Sequence, residues 1–410
     1  MSQAASVPPH MRRTPFDPDP ELARLRIEAP VSRIAAPIGA VRIPAWLVTR
    51  HEDVRAVLGD TAMFSNSADA VRVQVAAIFG EETAARQPTL GQSSLIGYDP
   101  PRHTRLRRML TPRFTVKRMR ELEPRIVDIV TDHLDAMAGT GGPVDLVQAF
   151  ALPVPSLVIC ELLGVPYADR ADFQSRSKGL LDYGLDLAAR RAVFQESHAY
   201  MADLVGRHRA NPGDGLLGAL IREHGDELPD EELIGLGTLL LLAGHETTAN
   251  MLALGTLLLL HHPDQLALLR DNADSGDPGI VDRAVEELMR YLSIVPATIL
   301  RTAKQDVTLG GITIKAGQAV VCSLPSANRD PAVTKDPDML DLTREPTSHV
   351  AFGHGAHHCV GAPLARLEMR IAFPALLSRF PSLRLAAPFE EISFRASSAV
   401  YGVDSLPVTW

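Results

Sequence analysis

The chain has 410 residues, 46% of them hydrophobic, and a formal net charge of −8. That is enough apolar material for a sizeable core in one large or two ordinary domains, and the acidic balance argues against a nucleic-acid surface, which needs a basic footprint. Its cysteines, Cys160, Cys322 and Cys359, form no even framework, so a reducing cytoplasm is expected rather than a disulfide scaffold.

Met1 to Asp19 is polar and Pro-rich, with no apolar run after Met1. It reads as a loose arm, neither a signal peptide nor a membrane anchor, ahead of a single domain over 20–410. Ala36 to Thr49 reads as a strand or hairpin and Arg50 to Leu58 as a short helix. Ser65 to Tyr98 mixes small, polar and apolar residues without a period and reads as a long irregular functional loop. Asp99-Pro100-Pro101 then stops the chain before a helix on which His103 and Arg107, four apart, share a face. Alone, that is also how an ordinary basic helix surface looks.

Thr115 to Leu220 is mostly amphipathic helix, with breaks at Gly139 to Pro143, Gly164 to Pro166 and Asn211 to Gly215. Pro229 and the acids after it start a helix that runs to Leu260, where His261-His262-Pro263 ends it. At roughly 30 residues it is about 45 Å long. It is apolar all round except for His245-Glu246-Thr247-Thr248 at its middle, where charge is most costly in lipid, so it reads as a buried core helix rather than a membrane span. Gly244 allows a planar group to approach the backbone. Thr247 can donate to the carbonyl of Ala243, four residues back, and loosen the helix into a polar groove. Glu246 is a candidate proton carrier to that groove. The same residues also read as a helix cap or a water-bridged kink.

Val281 to Tyr291 reads as a helix on which Glu287 and Arg290 pair, three apart. Val295 to Ile299 runs extended past Arg301, and Val307 to Ile314 forms short strands around a Gly310-Gly311 turn. Near the end of the chain, Phe352-Gly353-His354-Gly355-Ala356-His357-His358-Cys359-Val360-Gly361 places one thiol at the end of a Gly-rich loop, directly before a helix over Ala362 to Leu377. Amides of such a turn can point at the sulfur, and the helix N-terminus favours its anionic form. A thiolate held that way is a metal ligand or a nucleophile. A structural cysteine is the plain alternative. A zinc site from His354, His357, His358 and Cys359 is another, although adjacent ligands in one loop do not match the usual zinc spacings. Ser397 to Trp410 alternates enough for a final hairpin turning near Val400-Tyr401.

The cysteine loop, Phe-Gly-x-Gly-x-His-x-Cys-x-Gly, resembles the haem-binding loop of the cytochrome P-450 superfamily. Asp-Pro-Pro-x-His-Thr-Arg-Leu-Arg at 99–107, Ala-Gly-His-Glu-Thr-Thr at 243–248 and Glu-x-x-Arg at 287–290 resemble further family motifs, in the family's order. The resemblance spans nearly the whole chain and is nearest to soluble actinobacterial members. It implies a mainly α fold with small β-sheets, a triangular prism in which haem is buried between the long central helix and the helix after the cysteine loop. It implies haem b, iron protoporphyrin IX, with Cys359 as the axial thiolate that favours O–O cleavage. Phe352 would pack beside the sulfur, and His103, Arg107, Arg301 and His357 would hold the propionates. Thr247 and Glu246 would manage protons. Arg344 would join Glu287 and Arg290 in a structural triad, and Ala327 to Pro331 would be structural too. Pro296, Ala297 and Ile299 would line the pocket, and Leu181 to Arg191 would lie near the lid that closes over substrate.

The implied activity is a monooxygenase that inserts one oxygen of O2 into an apolar or amphipathic small molecule, such as a polyketide, macrolide or other secondary metabolite. The chain has no flavin or nicotinamide fingerprint and no cysteine cluster for iron–sulfur. Electrons are therefore expected from a separate ferredoxin and its NAD(P)H-dependent reductase, docking on a basic face around Arg105, Arg108, Arg113 and Lys117. No nucleic-acid or membrane partner is expected. The alternatives are a peroxide-driven enzyme of the same fold, a haem protein that binds ligands without converting them, and a structural metal protein without haem.

Overall fold

The computed structural model describes residues 7–38, 41–86, 94–166, 169–273, 278–296 and 299–410. Residues 7–19, read from sequence as a loose arm, lie against the body instead. His10 and Phe16 are buried, Arg13 donates to the Ser293 carbonyl at 3.0 Å, and Asp17 accepts from the Tyr291 hydroxyl at 3.1 Å. A Pro-rich, polar segment can be fixed this way by a few aromatic and charged anchors.

Helix α1 (Pro20–Glu28) starts on the Asp19 side chain, which accepts from the Glu21 amide. The hairpin β1 (Val31–Ile38) and β2 (Val41–Val48) pairs Val31 with Val48, so it begins at Val31 rather than Ala36. After α2 (His51–Gly59) and β3 (Phe64–Ser65), the stretch expected to be irregular contains α3 (Ala68–Phe79) and α4 (Glu81–Arg86). Ser67 caps α3 and Gly80, at φ +87°, ends it. The hydropathy pattern hides α3 because Val73, Ile78 and Phe79 are exposed, which blurs its apolar stripe.

Helix α5 (Arg102–Leu110) follows the two prolines, and α6 (Val116–Thr140) stops at Gly141, in the left-handed region at φ +76°. Next come β4 (Val144–Asp145), a π-helical turn at Val147–Ala151, α7 (Pro153–Leu163), α8 (Arg170–Leu181), α9 (Leu187–Ala210) and α10 (Leu216–His224). The predicted breaks are all present. A further one separates α8 from α9, where the Asp186 side chain caps α9 by accepting from the Ala189 amide.

The central helix is α11 (Asp230–His261), followed by α12 (Pro263–Ala273) and α13 (Pro278–Leu292). Helix α11 is buried over most of its length and lies against α7, α9 and α15 (Ala362–Arg379). It is continuous through Thr247, so the expected loosening of the helix is not seen. Among the described residues, no single helix is long and apolar enough to cross a membrane.

Strands β5 (Leu300–Ala303) and β8 (Ala319–Cys322) complete a sheet ordered β1-β2-β8-β5-β3, with β2 and β8 parallel. Between them, β6 (Val307–Leu309) and β7 (Ile312–Ile314) form the predicted hairpin over Gly310 and Gly311, both at positive φ. A short helix α14 (Leu324–Ala327) follows β8. The last strand, β10 (Pro407–Thr409), pairs with β4 and with β9 (Arg384–Leu385). In place of the predicted terminal hairpin over Ser397 to Trp410, an isolated bridge between Phe394 and Val403 closes the turn near Val400-Tyr401.

Two charged features fix the helices beneath the cysteine loop. Arg290 reaches Glu287 through Nε at 2.7 Å and Nη2 at 2.8 Å, and Arg344 Nε meets the same carboxylate at 3.1 Å. Glu287 and Arg290 are buried, so removing either partner would strand a charge away from water. Glu368, on α15, is also buried, but its Oε2 has no partner. Desolvation pushes its pKa well above the ordinary carboxylate value, so the folded chain holds it as the neutral acid. That preference stabilises the fold below the unfolded-state pKa and is lost as pH rises through the folded one. Glu368→Gln, which mimics the neutral acid, should therefore raise Tm at about pH 7 to 8, with the gain closing as pH falls to about 4. Thermal unfolding across that range checks it, and a pH-independent loss of Tm would contradict it.

Candidate active site

The cysteine loop is shaped by two left-handed glycines, Gly353 at φ +73° and Gly355 at φ +71°. A Cβ on Gly355 would come 2.6 Å from the Leu58 carbonyl oxygen, so only glycine lets the loop pass α2. The Cys359 amide donates to the Phe352 carbonyl at 2.9 Å. The thiol faces open space and counts as exposed, yet protein surrounds it densely enough to desolvate it. Burial pushes its pKa up, while the backbone amides of Gly361 and Ala362 and the cations of Arg107 and Arg366 act in the other direction. The thiol stands directly before the helix that begins at Ala362, the placement the loop sequence implied.

Beside the thiol stands a group of donors. The rings of His103 and His357 lie 4.1 Å apart. Both nitrogens of His103 and Nε2 of His357 are buried without a partner. Desolvation lowers the pKa of His357 to about 3, with His103, Arg301 and Arg107 adding to the effect and Asp99 opposing it. Arg301 is buried and donates to Asn66 Oδ1 and, at 2.9 Å, to its neighbour's carbonyl at Leu300. Asn66 Nδ2 also lies 3.3 Å from His357 Nδ1. Helix α5, strand β5 and the cysteine loop thus bring His103, Arg107, Arg301 and His357 together, with Asp99 as the carboxylate whose field reaches them. Unpartnered imidazoles and guanidinium groups gathered out of water fit an acidic group arriving from outside.

On α11, Thr247 Oγ1 donates to the Ala243 carbonyl at 2.7 Å. Gly244 serves a different purpose from the one expected. A Cβ there would meet Ile159 at 2.6 Å, so the close approach it permits on that side is between α11 and α7, not to a planar group. Glu246 is buried, and its carboxylate is held by Arg395 Nη1 at 3.0 Å and by His245 Nε2 at 3.4 Å. Burial would raise its pKa, but His245 and Arg395 outweigh burial and bring it down to about 2. Arg395 also contacts Asn250 Oδ1 at 3.4 Å.

Sequence reasoning missed Arg395, which comes from the tail and carries no local motif. It also missed the pairing of Glu286 with Arg366 at 2.8 Å and with His349 at 3.0 Å. Arg366 lies 4.4 Å over the Phe352 ring, which seats Phe352 beneath a cation. The tail turn lies against the segment after α13, since the Tyr401 amide donates to the Ile294 carbonyl at 2.8 Å. Pro296 is buried and Ile299 partly so, whereas Ala297 lies outside the described residues.

The expected basic docking face is only partly free. Arg105 pairs with Glu232 and Arg113 with Glu223, both acids of the α10–α11 region, leaving Arg108 and Lys117 exposed.

Comparison with known proteins agrees with this geometry. A family model described as cytochrome P-450 matches residues 187–383. Pentalenic acid synthase of Streptomyces avermitilis is 45% identical over 98% of this chain and 96% of its own. Vitamin D(3) 25-hydroxylase of Pseudonocardia autotrophica is 43% identical over 96% of this chain and 94% of its own. The crystal structure of CYP105P1 in complex with filipin I superposes with a TM-score of 0.87 at 44% identity, covering 99% of each chain. With a chain-long match of that depth and the same helical fold, the protein belongs to the cytochrome P-450 family and is one of its haem-dependent monooxygenases.

Proposed function

We propose that the chain is a cytoplasmic enzyme that inserts one oxygen atom of O2 into an apolar or amphipathic small molecule, by hydroxylation or epoxidation. Its setting is the tailoring of a secondary metabolite such as a polyketide or macrolide. The relatives named pentalenic acid synthase and vitamin D(3) 25-hydroxylase support that substrate size and polarity. Electrons come from a separate ferredoxin and its NAD(P)H-dependent reductase, with Arg108 and Lys117 as the exposed cations left for the dock.

The observation that carries the reading is the Cys359 sulfur at the end of the Gly-rich loop, directly before the helix that begins at Ala362, with Arg107 acting on both the sulfur and the donor group of His103 and His357. In this reading the cofactor is haem b. Cys359 holds its iron, and His103, Arg107, Arg301 and His357 take its two propionate carboxylates. Phe352, under the Arg366 cation, packs at the sulfur's side and keeps water from it. When bound, the haem supplies a thiolate-ligated iron, the ligation that favours O–O cleavage.

The chain's own groups manage the protons. Thr247 keeps its hydroxyl hydrogen on the Ala243 carbonyl and leaves its oxygen lone pairs free to accept. Glu246 is ionised and clamped by Arg395, so it accepts a proton from water before it can pass one on. That requires the carboxylate to swing off Arg395, an exchange of partners for which Asn250 Nδ2, 3.5 Å away, is placed as the alternative.

The decisive test is spectroscopic. The reduced protein with carbon monoxide should show the strongly red-shifted absorption of thiolate-bound haem, and Cys359→Ser should lose it. A colourless protein made with ample haem supply sinks the reading. Thr247→Ala should keep consuming NAD(P)H while product falls and hydrogen peroxide appears; unchanged product yield would remove Thr247 from the proton path. Arg395→Met tests the clamp. The depressed Glu246 pKa contributes stability above the ordinary carboxylate pKa that is lost as pH falls towards about 2. Without Arg395 the buried carboxylate keeps only His245, so unfolding free energy at neutral pH should fall by about 3 kcal/mol. The deficit should shrink on acidification as Glu246 takes up a proton, and a deficit constant with pH would show that the arginine acts only through packing.

A further inference from the structure

One face of α9 carries two buried polar groups that no neighbour satisfies. Arg190 is 6% exposed and Ser197, two turns further on, is 9% exposed. Arg190 Nε and Ser197 Oγ both lack a hydrogen-bond partner. Positions seven apart share a helix side. That side looks onto α8 and α11, because Ser197 and Met201 line a cavity of about 20 Å³ with Ser177 of α8 and Leu241 and Leu242 of α11.

The Arg190 guanidinium has the Tyr183 ring at 5.3 Å. No ion pair or side-chain hydrogen bond is made by Arg190 among the described residues. The anion whose field reaches it is Asp182, but that carboxylate is engaged through Oδ1 with the Gly184 amide at 2.7 Å and Ser397 Oγ at 3.5 Å. Burial draws the Arg190 pKa down, with Tyr183 and Asp182 acting against it. A cation kept from water without a counter-ion costs the fold free energy that a purely structural role would not require.

Its place relative to the active site follows from the tail. Arg395 reaches Glu246, the residue before Thr247. Two residues on, the Ser397 carbonyl accepts from the Tyr183 amide at 2.9 Å, and the Ala399 amide donates to the Leu181 carbonyl at 2.9 Å. The segment 395–399 is therefore a wall with the proton-handling pair at its inner end and Tyr183, with Arg190 over it, at its outer end.

We propose that Arg190 is a specificity-determining residue that receives the carboxylate of an otherwise apolar substrate, with the Ser197 hydroxyl as a second polar contact along the same helix face. The inference rests on the monooxygenase reading only in directing the apolar body of that substrate along the wall towards Thr247. A monoanion fits better than a phosphate, because one guanidinium beside Asp182 cannot neutralise two negative charges out of water.

The probes are dodecanoate and methyl dodecanoate, the same chain with and without the charge, titrated calorimetrically into the haem-loaded enzyme. The wild type should bind the acid at least about ten-fold more tightly than the ester, the size of one charge-assisted contact. Arg190→Met should remove that preference by weakening the acid at least about ten-fold, and Arg190→Lys should keep part of it. No preference in the wild type, undetectable binding of the acid included, overturns the assignment, as does a preference that survives Arg190→Met. A fall in Tm with equal loss of acid and ester binding in both variants overturns it too, since Arg190 would then only hold the roof together. The carbon monoxide spectrum of the same samples keeps the two readings apart. A normal spectrum without acid preference rejects the role of Arg190 alone, and a missing band with the preference intact rejects the haem–thiolate reading alone.

Discussion

The proposed chemistry asks Cys359 to be an anion in a desolvated place, and that conflict is the constraint around which the site is arranged. Burial works against the thiolate, and the backbone amides of Gly361 and Ala362 act the other way, in a loop that turns through left-handed Gly353 and Gly355. Gly355 in turn has its shape because it slides over Leu58 of α2. The site is thus pinned at once to the helix that begins at Ala362 and to the helix that ends at Gly59.

Around that loop, buried charges are arranged in closed groups. Glu287 is shared between Arg290 and Arg344, and Glu286 between Arg366 and His349. These neighbouring acids of α13 face different partners: Glu287 pairs within α13 and with Arg344, whereas Glu286 joins His349, just before the cysteine loop, to Arg366 of α15. Such groups add little net stability over apolar packing, but they are expensive to leave half-made, which makes the register of α13 against the loop specific. Among the buried groups that are not closed in this way are His103 and His357 beside the thiol and, across the molecule, Arg190.

Much of this was legible in the sequence because the signals were local. The cysteine loop, the Pro-Pro start of α5, the polar break inside α11 and the Gly310-Gly311 turn each state their geometry within about ten residues. Where the signal depended on distant partners, the reading failed. The N-terminal segment looked loose because nothing in Met1 to Asp19 reveals that Ser293 and Tyr291 wait for it. Helix α3 was missed because its apolar residues face outward as well as inward. Gly244 was assigned to a planar group because its packing partner, Ile159, is about 85 residues away in the chain and invisible to a motif. Arg105 and Arg113 looked like a free basic face for the same reason, since Glu232 and Glu223 lie far along the chain.

The tail shows most clearly how one distant segment can do two jobs. Gly402 sits so close to α11 that a Cβ would fall 1.7 Å from Asn250 Oδ1, so the tail is seated on the central helix with no room for adjustment. The Arg395 amide is tied across to the Gly402 carbonyl at 2.9 Å, which carries that fit to the side chain that clamps Glu246. From there the same backbone runs on to the α8–α9 connection through Ser397 and Ala399. A substrate that shifts the roof of the pocket must therefore pull on the strand that holds the acid, or leave it alone, according to how far it displaces residues 181–183. With the proposed roles of Arg190 and Glu246, recognition and proton handling share one piece of backbone, and a molecule bound at its outer end is linked through residues 395–399 to the carboxylate at its inner end.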